Sequence, residues 1–213
     1  MKRRFSDIMA YLHNAGYGLR SAKPKIFCIG FDKCGTTSLH NFFRFQGLKS
    51  IQWKYPGNRF LGVEAARCRN ERDCKKLFSV GQCFLNFTHF GEDEFFDPYD
   101  MFPMWKSAFP DAYFIFNDRN VEEWILSRKR YKNGKGLRRY MKVTGASEPE
   151  TIEHWRKRYC EHKKNVLAFF SGDPRFCHFM IGEDDISKII SVLAPDYRLK
   201  ASYFGNYNAA KHP

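Results

Sequence analysis

Several shortages narrow what this chain can be. No run of apolar residues is long enough to cross a bilayer, and the opening "MKRRFSDIMAYLHNAGYGLR" lacks the apolar stretch of a signal peptide. Export and membrane insertion are therefore not expected. No C-x-x-C pair occurs among the seven cysteines, which removes the commonest zinc and thiol-exchange frameworks. No internal repeat or low-complexity tract is present, so solenoid and linker architectures do not apply. Acidic residues are few: 23 Asp and Glu stand against 36 Lys and Arg, a net charge of +13. That balance favours anionic partners, whether nucleic acid, anionic lipid, acidic glycan or a phosphorylated small molecule, and does not choose among them.

What is present points to a folded enzyme-sized unit. The 213 residues suffice for one sizeable domain. Hydrophobic residues make up 43% of the chain and 22 are Phe, so a well-filled core is expected and global disorder is not. Cys28 and Cys177 lie in apolar, strand-like runs, where Cys serves as a small core residue. Cys68, Cys74, Cys83 and His89 match no common zinc spacing, and no metal is expected. An odd number of cysteines fits a reducing, cytoplasmic setting.

The pattern along the chain alternates. Phe5, Ile8, Met9 and Leu12 are spaced as one helix face, expected to pack on the domain or, as an alternative, to lie on a membrane surface. Strands are expected at 25–30, 50–53, 83–87, 112–117 and 177–181. Helices are expected at 37–46, 60–79, 94–109, 121–131, 149–170 and 184–193, with a basic loop after 131. Alternating strands and helices imply an α/β layer fold with a mostly parallel sheet, whose ligands bind at the carboxyl ends of strands.

One such end reads "KIFCIGFDKCGTTSL", residues 25–39. Gly30 and Gly35 have the separation of the ATP-binding loop G-x-x-x-x-G-K-[S/T], and Thr37 holds its hydroxyl place. The lysine slot holds Thr36 instead, and Lys33 stands two residues before the second glycine. Glycines let successive N–H groups curl inward, and the helix that follows adds its unpaired N–H groups and the positive end of its dipole. Thr36, Thr37 and Ser38 add hydroxyl groups, so the stretch reads as an anion cradle, against the plainer reading of an ordinary glycine turn. A lysine at the mouth could neutralise a leaving group without a metal, which suits transfer of a group less charged than a phosphoryl.

"IGFDKCGTTSL" resembles the 5′-phosphosulfate loop of the sulfotransferases, whose core is P-K-x-G-T-T-S-L. These enzymes move a sulfuryl group from 3′-phosphoadenosine 5′-phosphosulfate (PAPS) to a hydroxyl or amine, on a fold related to the ATP-loop proteins. The resemblance implies that Lys33, Cys34, Gly35, Thr36, Thr37 and Ser38 hold the donor's 5′-phosphosulfate, with Lys33 as the catalytic cation. Asp32 departs from the pattern, where Pro is frequent; it could pair with Lys33 or point to solvent. The family grips the 3′-phosphate with an Arg after a later strand and a Ser about eight residues on. Here "YFIFNDRNVEEWILSRKRY" supplies Arg119 and Ser127, with Asn120 in place of the usual Asp. A guanidinium suits phosphate through paired, charge-assisted bonds, and residues eight apart on a helix share a face. Weaker similarity runs to the C-terminus. The expected organisation is an N-terminal helical segment, 1–24, and one sulfotransferase domain, 25–213, of P-loop-like α/β fold.

An acceptor hydroxyl must lose its proton, and His89 in "NFTHFGEDEFFD" is the leading base candidate, with Glu92, Asp93 and Asp97 as competitors. His40 and His178 are expected to be structural or solvated. The basic stretch 128–142 is read as a mobile flap over the 3′-phosphate or the acceptor, with a solvated loop as the plainer alternative. The expected acceptor is a carbohydrate, glycolipid or small metabolite, and no nucleic acid partner is expected. Two other functions compete: an atypical nucleotide-dependent kinase with Asp118 on the metal, and a basic nucleic-acid-binding protein.

Overall fold

Five short strands pair side by side: the three central ones are buried at every residue, and the two edge strands are only partly buried. In the computed structural model, which describes residues 5–16, 23–205 and 207, they are β1 (Ile26–Cys28), β2 (Ser50–Gln52), β3 (Cys83–Leu85), β4 (Tyr113–Asp118) and β5 (Phe176–Met180). They form one parallel sheet in the order β2-β3-β1-β4-β5. The register sets Ile26 beside both Cys83 and Tyr113.

Nine helices surround the sheet among the described residues: α1 (Phe5–Asn14), α2 (Thr36–Phe45), α3 (Leu61–Ala66), α4 (Glu71–Leu77), α5 (Phe102–Ala108), α6 (Val121–Arg130), α7 (Lys135–Thr144), α8 (Glu148–Phe169) and α9 (Ser187–Leu193). Alternate strand residues point to opposite layers. Phe27, Phe84, Phe114 and Phe116 meet Phe78, Trp105 of α5, Trp124 of α6 and Tyr159 of α8 on one face. Ile26, Cys28, Leu85, Ile115 and Phe179 meet Leu39, Phe42 and Phe43 of α2 and Ile189 and Leu193 of α9 on the other. Cys68 and Cys74 belong to the first layer and Cys83 to the second, so the sheet separates them. All seven cysteines are free thiols; six are buried and Cys160 is exposed.

The strand order creates the site. From β1 the chain runs to one side, through α2 to β2; after β3 it crosses back over β1 to β4 and β5. Loops leaving β1 and β4 therefore part to opposite faces, and a crevice opens between neighbouring strand ends.

Three expectations need correction. Residues 60–79 form two helices with a break at 67–70, where Asn70 caps α4 by accepting from Asp73 N–H. Residues 94–109 open as strand, with Phe95–Phe96 pairing back on His89–Phe90 as a hairpin; a 3-10 turn follows at Pro98–Met101, and α5 begins only at Phe102. A second hairpin joins Lys54–Tyr55 to Arg59–Phe60. The basic stretch expected as a loop is helical instead: the end of α6, a turn and most of α7. Gly134 and Gly145, both left-handed, flank α7, and its Leu137 and Tyr140 are buried.

The N-terminal helix also docks differently. Ile8, Met9 and Leu12 are 43%, 52% and 36% exposed, so that stripe faces outward. The docking residue is Asn14, fully buried, which donates to Gln46 O and Arg198 O and accepts from Arg198 N–H. A polar side chain serves here because it satisfies backbone groups left over at the end of α2 and in the 196–200 segment. Among the described residues no helix is long and apolar enough to cross a membrane.

Candidate functional site

Gly30, two residues past β1, runs close against Asn117 of β4. A Cβ there would lie 1.8 Å from Asn117 O, so only glycine fits. Asn117, the fifth residue of β4 and fully buried, staples the loop at both ends: its Oδ1 accepts from Gly30 N–H (2.9 Å) and its Nδ2 donates to Cys34 O (2.9 Å). Lys33 (φ +67°), between these anchors, and Gly35 (φ +70°), just past the second, are left-handed, with Cys34 between them. Alternation of hand turns successive N–H groups inward. Gly35 then caps α2 without a side-chain bond, and the N–H groups of Gly35, Thr36 and Ser38 meet no acceptor among the described residues.

The hydroxyls are held from outside. Gln52, at the end of β2, donates from Nε2 to Thr36 Oγ1 (3.3 Å) and Thr37 Oγ1 (3.2 Å). Accepting a bond leaves the Thr36 hydroxyl its own proton to donate. Ser38 Oγ accepts from Tyr207 N–H (3.1 Å). The Cys34 side chain points into the core, 3.8 Å from the Tyr159 hydroxyl, so only its backbone can serve the cradle.

Lys33 makes no ion pair among the described residues; its Nζ lies 3.1 Å from the centre of the Tyr131 ring. Burial lowers its pKa from the ordinary lysine value; Asp32 opposes the shift, while Arg128 and Lys132 add to it. Asp32 neither pairs with Lys33 nor points to solvent. Its carboxylate faces Arg128 Nε at 3.3 Å, and its carbonyl accepts from Trp124 Nε1. Arg128, 2% exposed, stands among the rings of Phe90, Phe95, Trp124 and Trp155, with centroids 4.6–5.8 Å from its guanidinium carbon.

Arg119 leaves the end of β4 across the crevice. Its Nη1 lies 3.4 Å from Lys33 O and its Nε 3.0 Å from Glu123 Oε2. The Arg119 guanidinium therefore reaches the backbone of the Lys33 loop at the strand switch, while the Lys33 ammonium lies on the Tyr131 ring. Ser127, half-buried two turns along α6, makes no described bond to either. A cavity of about 260 Å³ lies beside Arg119, walled also by Tyr159, Cys160, Lys163 and Glu183.

Asp118 ends β4 with no exposure. Oδ1 accepts from Tyr159 OH (2.5 Å) and Arg119 N–H (2.8 Å); Oδ2 faces His178 Nε2 and Lys163 Nζ, both at 2.7 Å. Burial pushes its pKa up, but bonds from His178, Lys163, Tyr159 and the Arg119 N–H outweigh this and hold it at about 2. His40 bonds Ser50 Oγ at 2.8 Å.

His89 is 5% exposed in the hairpin, its ring tilted 34° against Phe60 at 4.1 Å, with Nε2 3.4 Å from Glu94 and a buried Nδ1 that has no partner. Burial lowers its pKa, and nearby Arg139 and Lys54 add to this against Glu94, which favours the neutral ring. Its rivals are all committed to cations: Glu92 to Arg139, Asp93 to Lys142 and Asp97 to Arg158. Sequence reasoning missed Asn117, Gln52 and Tyr131. Asn117 had a signal, as a polar residue ending the apolar run "AYFIF"; Gln52 and Tyr131 act through the fold.

No known family model matches the chain, and no curated protein matches it.

Proposed function

We propose that the chain is a PAPS-dependent sulfotransferase with a P-loop-like fold. The observation that carries the reading is that the Arg119 guanidinium reaches the backbone of the Lys33 loop at the switch between β1 and β4, where left-handed Lys33 and Gly35 turn N–H groups inward. A donor with a 5′-phosphosulfate and a separate 3′-phosphate needs two separate cationic grips. Lys33, the loop N–H groups and the Thr36, Thr37 and Ser38 hydroxyls would take the 5′ end; Arg119, beside the 260 Å³ cavity, would take the 3′-phosphate with Ser127.

In the reaction the acceptor oxygen attacks sulfur in line. The new O–S bond forms as the bond from sulfur to the bridging phosphate oxygen breaks, and adenosine 3′,5′-bisphosphate leaves. Lys33 leaves the Tyr131 ring to meet the charge growing on the leaving phosphate. The acceptor's proton goes to a base, for which neutral His89, free of a cationic partner, is the candidate. An acceptor on a carbohydrate, glycolipid or small metabolite fits this chemistry.

A kinase would need Asp118 on a metal, but four donors already occupy that carboxylate. Calorimetry with adenosine 3′,5′-bisphosphate and with ATP–Mg²⁺ tests the choice. The bisphosphate is expected to bind more tightly, and Arg119→Ala to weaken it; tighter ATP–Mg²⁺ binding would sink the sulfotransferase reading.

A further inference from the structure

One aromatic side chain is held in the open by a backbone its residue type avoids. Trp53 follows β2 directly, one residue after the Gln52 that holds Thr36 and Thr37, and has φ +55°. Left-handed backbone is an outlier for bulky residues, and such strain gathers at ligand sites. The conformation is fixed on both sides: Trp53 N–H donates to Leu85 O, and Trp53 O accepts from Leu61 N–H. Trp53 is 40% exposed, whereas Trp105, Trp124 and Trp155 are at most 2% exposed.

The ring belongs to a row of tilted ring contacts. Trp53 lies 5.1 Å from Phe60, which lies 4.1 Å from His89. Lys54 Nζ stands 5.0 Å from the Trp53 ring and 4.4 Å from Phe60, and meets no acid among the described residues. An exposed ring and an unpaired ammonium thus share one ledge next to the donor loop, with the buried His89 imidazole against Phe60.

We infer that this ledge is the acceptor site, and that it takes a molecule presenting a flat ring face beside an anionic group. The Trp53 face desolvates the ring, Lys54 reads the negative charge, and the row of rings leads toward His89. An acidic sugar and a phenolic acid share this chemistry. The inference rests on the sulfuryl-transfer reading for its place in the reaction, and on the ledge alone for binding.

Because the other three tryptophans are buried, acrylamide quenching of intrinsic tryptophan fluorescence reports Trp53. The probes are methyl glucuronide and 4-hydroxybenzoate, with methyl glucoside and phenol as uncharged counterparts, checked by calorimetry. At least one charged probe is expected to shield Trp53; which one does so identifies the source of the ring. Trp53→Ala should weaken that probe about tenfold, as loss of a stacking platform does. Lys54→Ala should remove the preference for charge, an effect of about threefold. Trp53→Gly relieves the left-handed backbone, so it should lose the probe while keeping or raising thermal stability. Shielding by neither charged probe would overturn the inference. So would a Trp53→Gly variant that melts lower yet binds the probe as the parent does. If the bisphosphate fails to bind while a charged probe shields Trp53, the ledge stands and the sulfotransferase reading falls.

Discussion

Lys33 is asked to be charged in a place that penalises charge. Burial holds its pKa below the ordinary lysine value, and the Tyr131 ring takes the place of a counter-ion. The sign of the linkage follows: between the lowered folded value and the ordinary one, the unfolded chain binds the extra proton, so this residue's contribution makes stability rise with pH there. Below that window the cost of burying the ammonium is fully present. Lys33→Met should therefore unfold at higher denaturant than the parent at neutral pH, with the two curves converging toward the ordinary lysine pKa. The same position in turnover should behave oppositely, with Lys33→Ala losing about 10²–10³ in rate, the scale of one lost oxyanion donor. Behind it, Arg128 and Asp32 are buried partners. Arg128→Met should cost about 3–5 kcal/mol because it strands a buried carboxylate. The double variant with Asp32→Asn should recover most of that, read by chemical denaturation.

At the scale of elements, the cradle is β1, its loop and α2, braced by β4. Gly30→Ala drives a methyl into Asn117 O and should destabilise by about 1–3 kcal/mol or more. Asn117→Leu leaves Gly30 N–H and Cys34 O unpaired, at about 1–3 kcal/mol each, and should also weaken adenosine 3′,5′-bisphosphate. Thermal melts and calorimetry on the same samples separate the two effects. The loop itself was legible because its demands are local: Gly30, Lys33 and Gly35 lie within six residues of one another, and left-handed backbone favours glycine. Its braces were not legible. Gln52, Asn117, Tyr131 and Arg128 reach it across 15 to 98 residues of chain. The two hairpins escaped notice because two paired residues carry no periodicity, and α7 because its basic residues outnumber the Leu137 and Tyr140 that bury it.

For the whole molecule, alternating apolar runs disclosed the parallel α/β class, but the strand order that sets β4 beside β1 is a property of long-range pairing. That order is what brings Arg119 to Lys33. It also buries Asp118 at the centre of a proton-donor cluster. With its folded pKa near 2, Asp118 stabilises the native state fully above its ordinary value of 3.8. That contribution, about 2 kcal/mol, is lost as pH falls from about 4 to about 2. Asp118→Asn should flatten the acid limb of the unfolding profile. The net charge of +13 should make association with the bisphosphate slow as salt rises.

Six of the seven thiols are sealed in the two core layers, and Cys160 alone stands at the surface, in the wall beside Arg119. A native maleimide reaction should therefore stop at one equivalent per chain. The protein carries a ready-made covalent handle, and a dye attached there would report ligands arriving at Arg119 without any engineered change to the sequence.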